Sequence, residues 1–313
     1  MPGRSFDVVI IGGGVIGSST AFFLSQGAGG EDLRVAVVEP DPTYSRSSTA
    51  LSVGGVRQQF STRENILLSR FTMEFLATAG EVLEVDGDFP DLGFVEAGYL
   101  FLATPAGRSL LESNLSLQRA LGVEVALLAP QALKDRYPWL EVSDLAAGSL
   151  GLRGEGWLDP YSLLQAFRRK AIANGVEFLS DRVNGIEVEG SKVLGVRLGT
   201  GERLGAGSLL NAAGPRAGEI AEMAGIRDLP VRPRKRFVYR FLSRASIPEA
   251  PLTFDPTGVY FRPEGQAFLC GVSPPEAHDP DTLDLDMEYR LFEEIVWPTL
   301  ARRVPAFEAL KLE

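Results

Sequence analysis

The stretch Asp7-Val-Val-Ile-Ile-Gly-Gly-Gly-Val-Ile-Gly17 joins a short apolar run to a glycine cluster. An apolar run of this length, bounded by glycines, is typical of a parallel strand that is buried on both faces. Residues 15–26 continue with helical periodicity, and a second apolar run, 33–39, ends on Glu39. Strand, helix and strand within about 30 residues predict a right-handed βαβ unit.

The glycines follow the pattern G-x-G-x-x-G, which suits the ADP half of a dinucleotide. Gly12 permits the tight turn after the strand, Gly14 lets a pyrophosphate approach the backbone, and Gly17 lets the helix pack closely on the strand. The helix begins at Val15 and offers free amides and a positive dipole end. Glu39 lies 22 residues after Gly17, where a carboxylate can accept hydrogen bonds from a ribose. A glycine-rich turn in another α/β protein is the alternative, and the motif does not separate FAD from NAD.

A second small-residue motif, Asn211-Ala-Ala-Gly-Pro215, lies between a predicted strand at 208–211 and a predicted helix at 215–224. Ala213 and Gly214 allow the backbone to lie close to a ligand or to the first motif. A nicotinamide-binding domain does not need this return, whereas a chain that wraps an extended FAD does. A tight strand–helix turn is the alternative interpretation.

Composition excludes several other functions. The net charge of −10 argues against nucleic acid as a partner, because binding to phosphates rewards a basic surface. One cysteine, Cys270, and one histidine, His278, leave no internal disulfide and no zinc site built on several His or Cys ligands. No apolar run reaches the length of a membrane span, and residues 1–6 carry no secretory signal.

The remaining pattern predicts an α/β (mixed α+β) fold with two domains. The first, Rossmann-like and discontinuous, comprises residues 1–50 and 151–224, and the second, with a mixed or antiparallel sheet, comprises 51–150 and 225–313. Asp159 and Pro160 mark a helix N-terminus. Short strands at 176–179, 185–188, 193–198 and 202–204 predict an antiparallel meander. Further helices are predicted at 64–84, 104–121, 129–137 and 285–300, and further strands at 98–102, 237–242, 258–262 and 267–272.

The GGGVIG motif, Glu39 and the late NAAG resemble the D-amino-acid oxidase/sarcosine oxidase superfamily of FAD enzymes. The resemblance implies a Rossmann-like FAD domain beside a mixed-sheet substrate domain. It also implies hydride removal from a C–H next to the nitrogen of an amino acid or N-methyl amino acid, with flavin N5 as acceptor. The N-terminal loop has no histidine of the kind that carries covalent flavin in some relatives, so FAD is expected to be non-covalent.

The resemblance also assigns cofactor positions. Residues of a small polar loop match the segment under the flavin, two glycines match the close approach beside the ring, and one valine matches the backbone contact to the adenine. The polar loop comprises Ser47, Ser48 and Thr49, the two glycines are Gly54 and Gly55, and the valine is Val183. For the polar loop, a solvated surface loop is the alternative.

Two residues match positions near the substrate. Arg57 falls where an arginine of sarcosine oxidases helps to hold the substrate carboxylate, and a structural ion pair is the alternative. Phe261 falls near an active-site aromatic, and an ordinary core position is the alternative. A lysine that promotes reaction with oxygen in these relatives is replaced by Leu269, which favours a dehydrogenase or a flavoprotein with little turnover.

Several stretches (52–61, 112–114, 155–160, 234–239 and 296–308) resemble a mitochondrial branch of the family tied to assembly of respiratory complex I. They imply a mitochondrial location, or a cytoplasmic one if the chain is bacterial, and complex I subunits as partners besides a small amine or amino acid. Relatives continue past residue 313 with a segment that closes over the flavin, so the resemblance implies a C-terminally truncated chain, an FAD-dependent oxidoreductase whose FAD binding and activity depend on the missing segment.

Three functions remain open: an FAD-dependent amine dehydrogenase, a flavoprotein assembly factor and an NAD-dependent dehydrogenase. A basic cluster is interpreted either as a solvated strand edge or as a docking patch for a partner. The cluster comprises Arg232, Arg234, Lys235 and Arg236.

Overall fold

A computed structural model describes residues 4–27, 33–244, 246–247 and 249–313. Of the N-terminal segment 1–6, which is predicted to carry no secretory signal, residues 1–3 lie outside the described ranges. The described part contains sixteen strands: β1 (Arg4–Ile11), β2 (Val35–Glu39), β3 (Gly55–Val56), β4 (Tyr99–Ala103), β5 (Val125–Leu128), β6 (Ala147–Gly151), β7 (Gly156–Trp157), β8 (Glu177–Ser180), β9 (Val183–Glu189), β10 (Lys192–Leu198), β11 (Arg203–Asn211), β12 (Tyr239–Leu242), β13 (Leu252–Phe254), β14 (Tyr260–Glu264), β15 (Ala267–Gly271) and β16 (Lys311–Leu312). Its α-helices are α1 (Val15–Leu24), α2 (Arg63–Leu76), α3 (Ala79–Val82), α4 (Arg108–Ala120), α5 (Pro130–Arg136), α6 (Pro160–Ala173), α7 (Ala217–Met223) and α8 (Trp297–Arg303).

The first sheet has the order β8-β2-β1-β11-β10-β9, with β8, β2, β1 and β11 parallel. The predicted βαβ unit is therefore present as β1, α1 and β2. Ile11 lies level with Val38 on one side and with Asn211 on the other. Because these parallel strands end together, both small-residue motifs leave the sheet at the same carboxyl edge, where α/β folds bind ligands.

The predicted meander is wrong in two respects. β8 pairs with β2 in parallel, so it belongs to the βαβ part of the sheet rather than to a meander. The predicted strands at 202–204 and 208–211 are one continuous strand, β11, which pairs with β10 over its first residues and with β1 along its length. The glycines between them are not a turn, because Gly205 and Ala206 pair with Ser5 and Phe6 of the adjacent strand β1.

Helices cover both faces of this sheet. On one face α1 and α6 pack through Phe22 and Phe167, whose ring centroids lie 5.5 Å apart. The predicted helix at 64–84 is divided into α2 and α3, and Ala79 and Leu83 join the same cluster. On the other face Ile220 of α7 packs with the strands. Asp159 caps α6, as predicted, by accepting a hydrogen bond from the Tyr161 amide.

The second sheet has the order β16-β12-β15-β14-β13-β4-β6-β5 and combines strands from 99–151 with strands from 239–312. Its pairs are antiparallel except β13 with β4. One face packs an aromatic core against α8 and the residues after it, including Phe261, Phe268 and Phe307. The helix predicted at 285–300 begins later, as a π-helical turn, Phe292–Val296, that leads into α8. The mixed α/β fold is confirmed, while the division into two domains stays a prediction.

Within the described ranges, none of the helices combines the length and the apolarity that a membrane crossing requires.

Candidate functional site

The two small-residue motifs touch each other at the edge of the first sheet. Gly12 has a φ of 103°, and a Cβ there would lie 2.4 Å from the Ala212 carbonyl oxygen. The Ala212 amide donates to the Ile11 carbonyl over 2.9 Å. A Cβ at Gly17 would lie 1.9 Å from the Gly12 carbonyl oxygen. Each glycine therefore permits a backbone approach that any side chain would block, as the motif predicted.

The N-terminus of α1 presents backbone donors at this junction. Gly14 is the N-cap and supplies no side-chain cap. The Val15 amide donates to the Thr49 hydroxyl over 3.1 Å. The amides of Gly14 and Ile16 have no hydrogen-bond acceptor among the described residues. Unpaired amides at the positive end of a ten-residue helix suit an anion such as a pyrophosphate.

Glu39 stands beside the same helix end. One carboxylate oxygen accepts from the Gly13 amide over 2.8 Å, and the other accepts from the Asp41 amide over 2.9 Å. A carboxylate has about four lone-pair positions, so these two bonds orient the group and leave it able to accept from ribose hydroxyls. The glycine turn, the helix end and Glu39 together fit the ADP moiety of a dinucleotide.

The structure brings other predicted cofactor residues to this edge. Thr49 is tied to α1, Val183 packs in one cluster with Ile11, and Ala213 packs against that cluster. Gly214 has a φ of 55° and open space around it, so its backbone is accessible. In the loop before Thr49, the Ser47 hydroxyl accepts from the Ala50 amide over 3.1 Å and Ser48 is exposed. Their contacts with a cofactor stay predictions.

Gly54 and Gly55 are wedged between β7 and β4. Gly54 has a φ of 68°, and a Cβ there would lie 2.0 Å from the Leu158 carbonyl oxygen. A Cβ on Gly55 would lie 1.8 Å from the Tyr99 hydroxyl oxygen. β3, which begins at Gly55, pairs with Trp157 and its neighbour in β7. These glycines therefore lock the loop after Thr49 onto the second sheet.

Arg57 follows these glycines and faces a cleft of about 420 Å³. Its guanidinium carbon lies 4.4 Å from the ring centroid of Phe60 and 5.4 Å from that of Phe101. Within the described part of the chain Arg57 makes no ion pair, so the structural ion-pair interpretation finds no support. The cleft is lined by Gly55, Val56, Arg57, Phe60, Ser69, Thr72, Tyr99 and Phe254.

A buried carboxylate that the sequence did not single out supports this segment. Glu155 is fully buried, and its Oε1 accepts from the amides of Gln58 and Gln59 over 2.6 and 2.8 Å. Its Oε2 accepts from the Gln59 side chain over 2.8 Å, while the Ser149 hydroxyl donates to Gln59. Burial raises the pKa of the Glu155 carboxyl, and these hydrogen bonds oppose the rise. The network fixes the backbone immediately after Arg57.

Arg262 is a second functional candidate that sequence reasoning missed. It is buried, its Nε donates to the Val53 carbonyl over 3.1 Å, and its guanidinium lies 5.1 Å from the Trp157 ring centroid. One of its terminal nitrogens also donates to the Pro263 carbonyl over 2.9 Å and forms an ion pair with Glu264. Strand alternation could have found it, because Arg262 lies on the face of β14 opposite to that of its neighbour Phe261.

Phe261 does not reach the cleft. Its ring lies 5.9 Å from that of Trp139 and 5.3 Å from that of Phe307, inside the aromatic core. Phe261 therefore occupies an ordinary core position, because alternation along β14 places it on the face of the strand opposite to that of Arg262. The face toward the cleft presents Tyr260 instead, which packs against Phe254 at 5.3 Å.

The basic cluster at 232–236 is largely neutralised. Arg232 and Arg234 pair with Asp281, and Lys235 pairs with Asp284. Arg236 pairs with Asp279 and holds the pKa of that carboxyl below its usual value. The cluster therefore joins two surface segments, which supports the solvated-edge interpretation over a docking patch.

Replacement of Glu155 by Gln is expected to destabilise the protein. A glutamine offers one acceptor oxygen to donors that now share two, and its amide would face the Gln59 side chain. Leaving a buried donor unpaired costs about 1–3 kcal/mol. Urea denaturation of Glu155→Gln should show this loss, whereas the control Glu124→Gln, at a 60% exposed side chain, should not. Equal stabilities of the two variants would contradict the role assigned to Glu155.

Comparisons with known proteins agree with this geometry. A profile of the DAO family, described as FAD dependent oxidoreductase, matches residues 7–312. FAD-dependent oxidoreductase domain-containing protein 1 of Xenopus laevis is 41% identical over all of this chain and 69% of its own length, and that of Bos taurus is 41% identical over all of this chain and 71% of its own. The structure of L-proline dehydrogenase from P. horikoshii is 25% identical, with a TM-score of 0.83 over all of this chain and 80% of that one. The cofactor is therefore FAD, and the NAD-dependent alternative is wrong. The chain belongs to the DAO family of FAD-dependent oxidoreductases.

Proposed function

We propose that this protein dehydrogenates the C–N bond of an amino acid or N-methyl amino acid, with non-covalently bound FAD as the hydride acceptor. The ADP moiety would lie at Gly12, Gly14, Gly17 and Glu39. FAD supplies the hydride chemistry when bound, and the protein supplies binding and orientation. Arg57 would hold the carboxylate of the substrate. The names of relatives that include an L-proline dehydrogenase and a sarcosine dehydrogenase support an amino-acid substrate.

The observation that carries this proposal is the state of Arg57 in the cleft. Two aromatic rings lie beside its guanidinium, and no carboxylate of the described protein neutralises it. The rings hold the guanidinium group in place, and its N–H groups remain for a ligand. A guanidinium fork matches a carboxylate with two parallel hydrogen bonds. Arg57 therefore suits the recognition of an amino-acid carboxylate.

A dehydrogenase is preferred over an oxidase because of Leu269. Leu269 pairs with Arg262 across β14 and β15, so its side chain lies on the same face as that of Arg262. An apolar side chain there offers no added cation to stabilise the negative charge that develops on oxygen. Reduced protein is therefore expected to react slowly with air and quickly with an artificial electron acceptor.

Arg57→Gln is expected to abolish substrate-dependent flavin reduction at millimolar substrate. Replacing the guanidinium by a neutral amide removes the charge-assisted pair with the carboxylate, a loss of about 10²-fold or more in apparent affinity. The measurement is anaerobic mixing of the FAD-loaded protein with a panel of N-methyl and D- or L-amino acids, followed by the bleaching of the flavin band.

The matched control for this experiment is Arg108→Gln, which removes a surface arginine whose side chain is 52% exposed. Substrate should reduce the flavin of this variant as quickly as it reduces that of the unmodified protein. If no amine of the panel bleaches the flavin in the unmodified protein, the proposed reaction is wrong. If Arg57→Gln is reduced as quickly as the control, the reaction survives and the role of Arg57 is wrong.

A second candidate function is a flavoprotein scaffold for assembly of respiratory complex I, with a mitochondrial location. Its support is the resemblance to the mitochondrial branch, together with exposed apolar side chains on α1 and α2. Leu68 and Phe71 of α2 are 64% and 54% exposed, and the Phe71 ring lies 6.2 Å from that of Phe23 of α1, itself 41% exposed; contiguous exposed apolar side chains are typical of interaction sites. Co-purification of respiratory-chain subunits that persists in Arg57→Gln would support this function, and its loss on Leu68→Glu would place the contact on α2.

A further inference from the structure

The Tyr99 side chain forms part of the cleft wall, with its hydroxyl beside Gly55. Tyr99 lines the cleft with Arg57, and its oxygen lies against Gly55, where a Cβ would come within 1.8 Å. The hydroxyl has no hydrogen-bond partner among the described residues. Among side-chain nitrogen and oxygen atoms of that part of the chain, Oε1 of Gln118 is the one that is fully buried without a partner, so the Tyr99 hydroxyl is accessible rather than sealed in the core.

The Arg57 guanidinium, which lines the same cleft, favours an anionic ligand beside this hydroxyl. Burial raises the pKa of the Tyr99 phenol well above its usual value; Arg57 opposes the rise, the Glu155 carboxylate adds to it, and Arg262 opposes it to a smaller extent. The phenol therefore stays protonated over the working pH range and offers an O–H donor. A neutral O–H donor in the same cleft as the Arg57 guanidinium suits a carboxylate better than an ammonium group.

Glu155 and Gln59 link the backbone beside Tyr99 to the backbone next to Arg57. The Glu155 carboxylate accepts from the amides of Gln58 and Gln59, and the Glu155 carbonyl accepts from the Gly98 amide over 2.9 Å. The Gln59 side chain donates to the Tyr99 carbonyl over 3.1 Å. Arg57 and Tyr99 are thus set by one rigid network, which gives a pre-organised pair of donors.

We infer that the Tyr99 hydroxyl is a second substrate-binding group, which donates a hydrogen bond to the carboxylate held by Arg57. The inference rests on the proposed function, because it assumes a carboxylate ligand in this cleft. Tyr99 then fixes which way the carboxylate turns, a task that the two-fold symmetric fork of Arg57 leaves open.

The test uses the FAD-loaded full chain, with benzoate as the probe anion and benzamide as its neutral counterpart, titrated through the change in the flavin absorbance band. Tyr99→Phe is expected to weaken benzoate binding by at least about tenfold. It should change benzamide binding by less than about twofold. The control Tyr289→Phe, at a 49% exposed side chain, should leave both affinities unchanged.

A second variant keeps the tyrosine and moves its hydroxyl. Gly55→Ala places a methyl group where the Tyr99 oxygen now lies, so it should weaken benzoate binding in the same direction. In the double variant with Tyr99→Phe the two losses should be less than additive, because both act on one hydrogen bond.

The outcomes separate this inference from the proposed function. If Arg57→Gln weakens benzoate binding and neither Tyr99→Phe nor Gly55→Ala does, the role of Tyr99 is overturned and the carboxylate site stands. If benzoate does not bind the unmodified protein, or binds equally well to Arg57→Gln, both are overturned. Equal losses for benzoate and benzamide would show that the hydroxyl does not contact the anion.

Discussion

Gly17→Ala is expected to strip FAD from the protein. The added Cβ would lie 1.9 Å from the Gly12 carbonyl oxygen, and backbone cannot yield as a flexible side chain can. Relief of the clash must move α1 away from β1, at a cost of about 1–3 kcal/mol. That movement withdraws the amides of Gly14 and Ile16 from the phosphates, so FAD binding should weaken by about 10- to 100-fold.

The measurement is a fluorescence titration of the apoprotein with FAD. Gly80→Ala is the matched control, because Gly80 also lies in a helix and its nearest neighbour to an added Cβ is the Pro90 carbonyl oxygen at 3.8 Å, an ordinary contact. It should bind FAD as the unmodified protein does and be slightly more stable. Unchanged FAD affinity in Gly17→Ala would mean that the cofactor does not rest on the end of α1.

Arg303→Met is expected to cause the largest loss of stability in the second sheet. Arg303 is 1% exposed, and its Nε donates to Asp255 over 2.7 Å. Its two terminal nitrogens donate to Asp144 over 2.8 and 3.0 Å. Methionine fills similar volume without the charge, which leaves the buried Asp255 carboxylate without a close cationic partner, since Arg302 stays 3.6 Å away with an exposed side chain. Removing one partner of a buried pair costs about 3–5 kcal/mol.

Urea denaturation measures this loss, and the neighbouring residue supplies the control. Arg302 also approaches Asp144 and Asp255, at 3.7 and 3.6 Å, but its side chain is 54% exposed. Arg302→Met should therefore cost less than about 1 kcal/mol. Adding Asp255→Asn to Arg303→Met should recover part of the loss, because it removes the unpaired charge. A similar small effect from both arginines would refute the buried-pair explanation.

The cofactor half of the site could be predicted from the sequence because the residues that form it are close together in the chain. The turn at Gly12, the close packing at Gly17 and the helix N-terminus are dictated within one βαβ unit, where side-chain size and periodicity decide the geometry. Glu39 follows from the end of the next strand. The sequence predicted that the second motif lies close to a ligand or to the first motif. In the structure Gly12 contacts Ala212, because the two motifs follow adjacent parallel strands of the same sheet.

The same local patterns failed where a strand continued through glycines. The glycines at 205 and 207 lie between the two predicted short strands, yet β11 runs through both because it pairs with β1 on either side of them. The parallel partner of β8 was missed for a related reason. Strand pairing depends on residues far apart in the chain, and the sequence of a strand does not indicate which other strand it pairs with.

The substrate side depends on contacts between distant segments. Arg57 was found by resemblance, but Tyr99, Glu155 and Arg262 belong to three different strands or loops. They contact the segment 53–59, which carries Arg57, only when the second sheet forms around it. Phe261 was misplaced because period-two alternation fixes which residues share a face but not which face meets the cleft. Short-range sterics thus specify the dinucleotide turn from the sequence, whereas the charges and donors of the cleft are set by long-range packing.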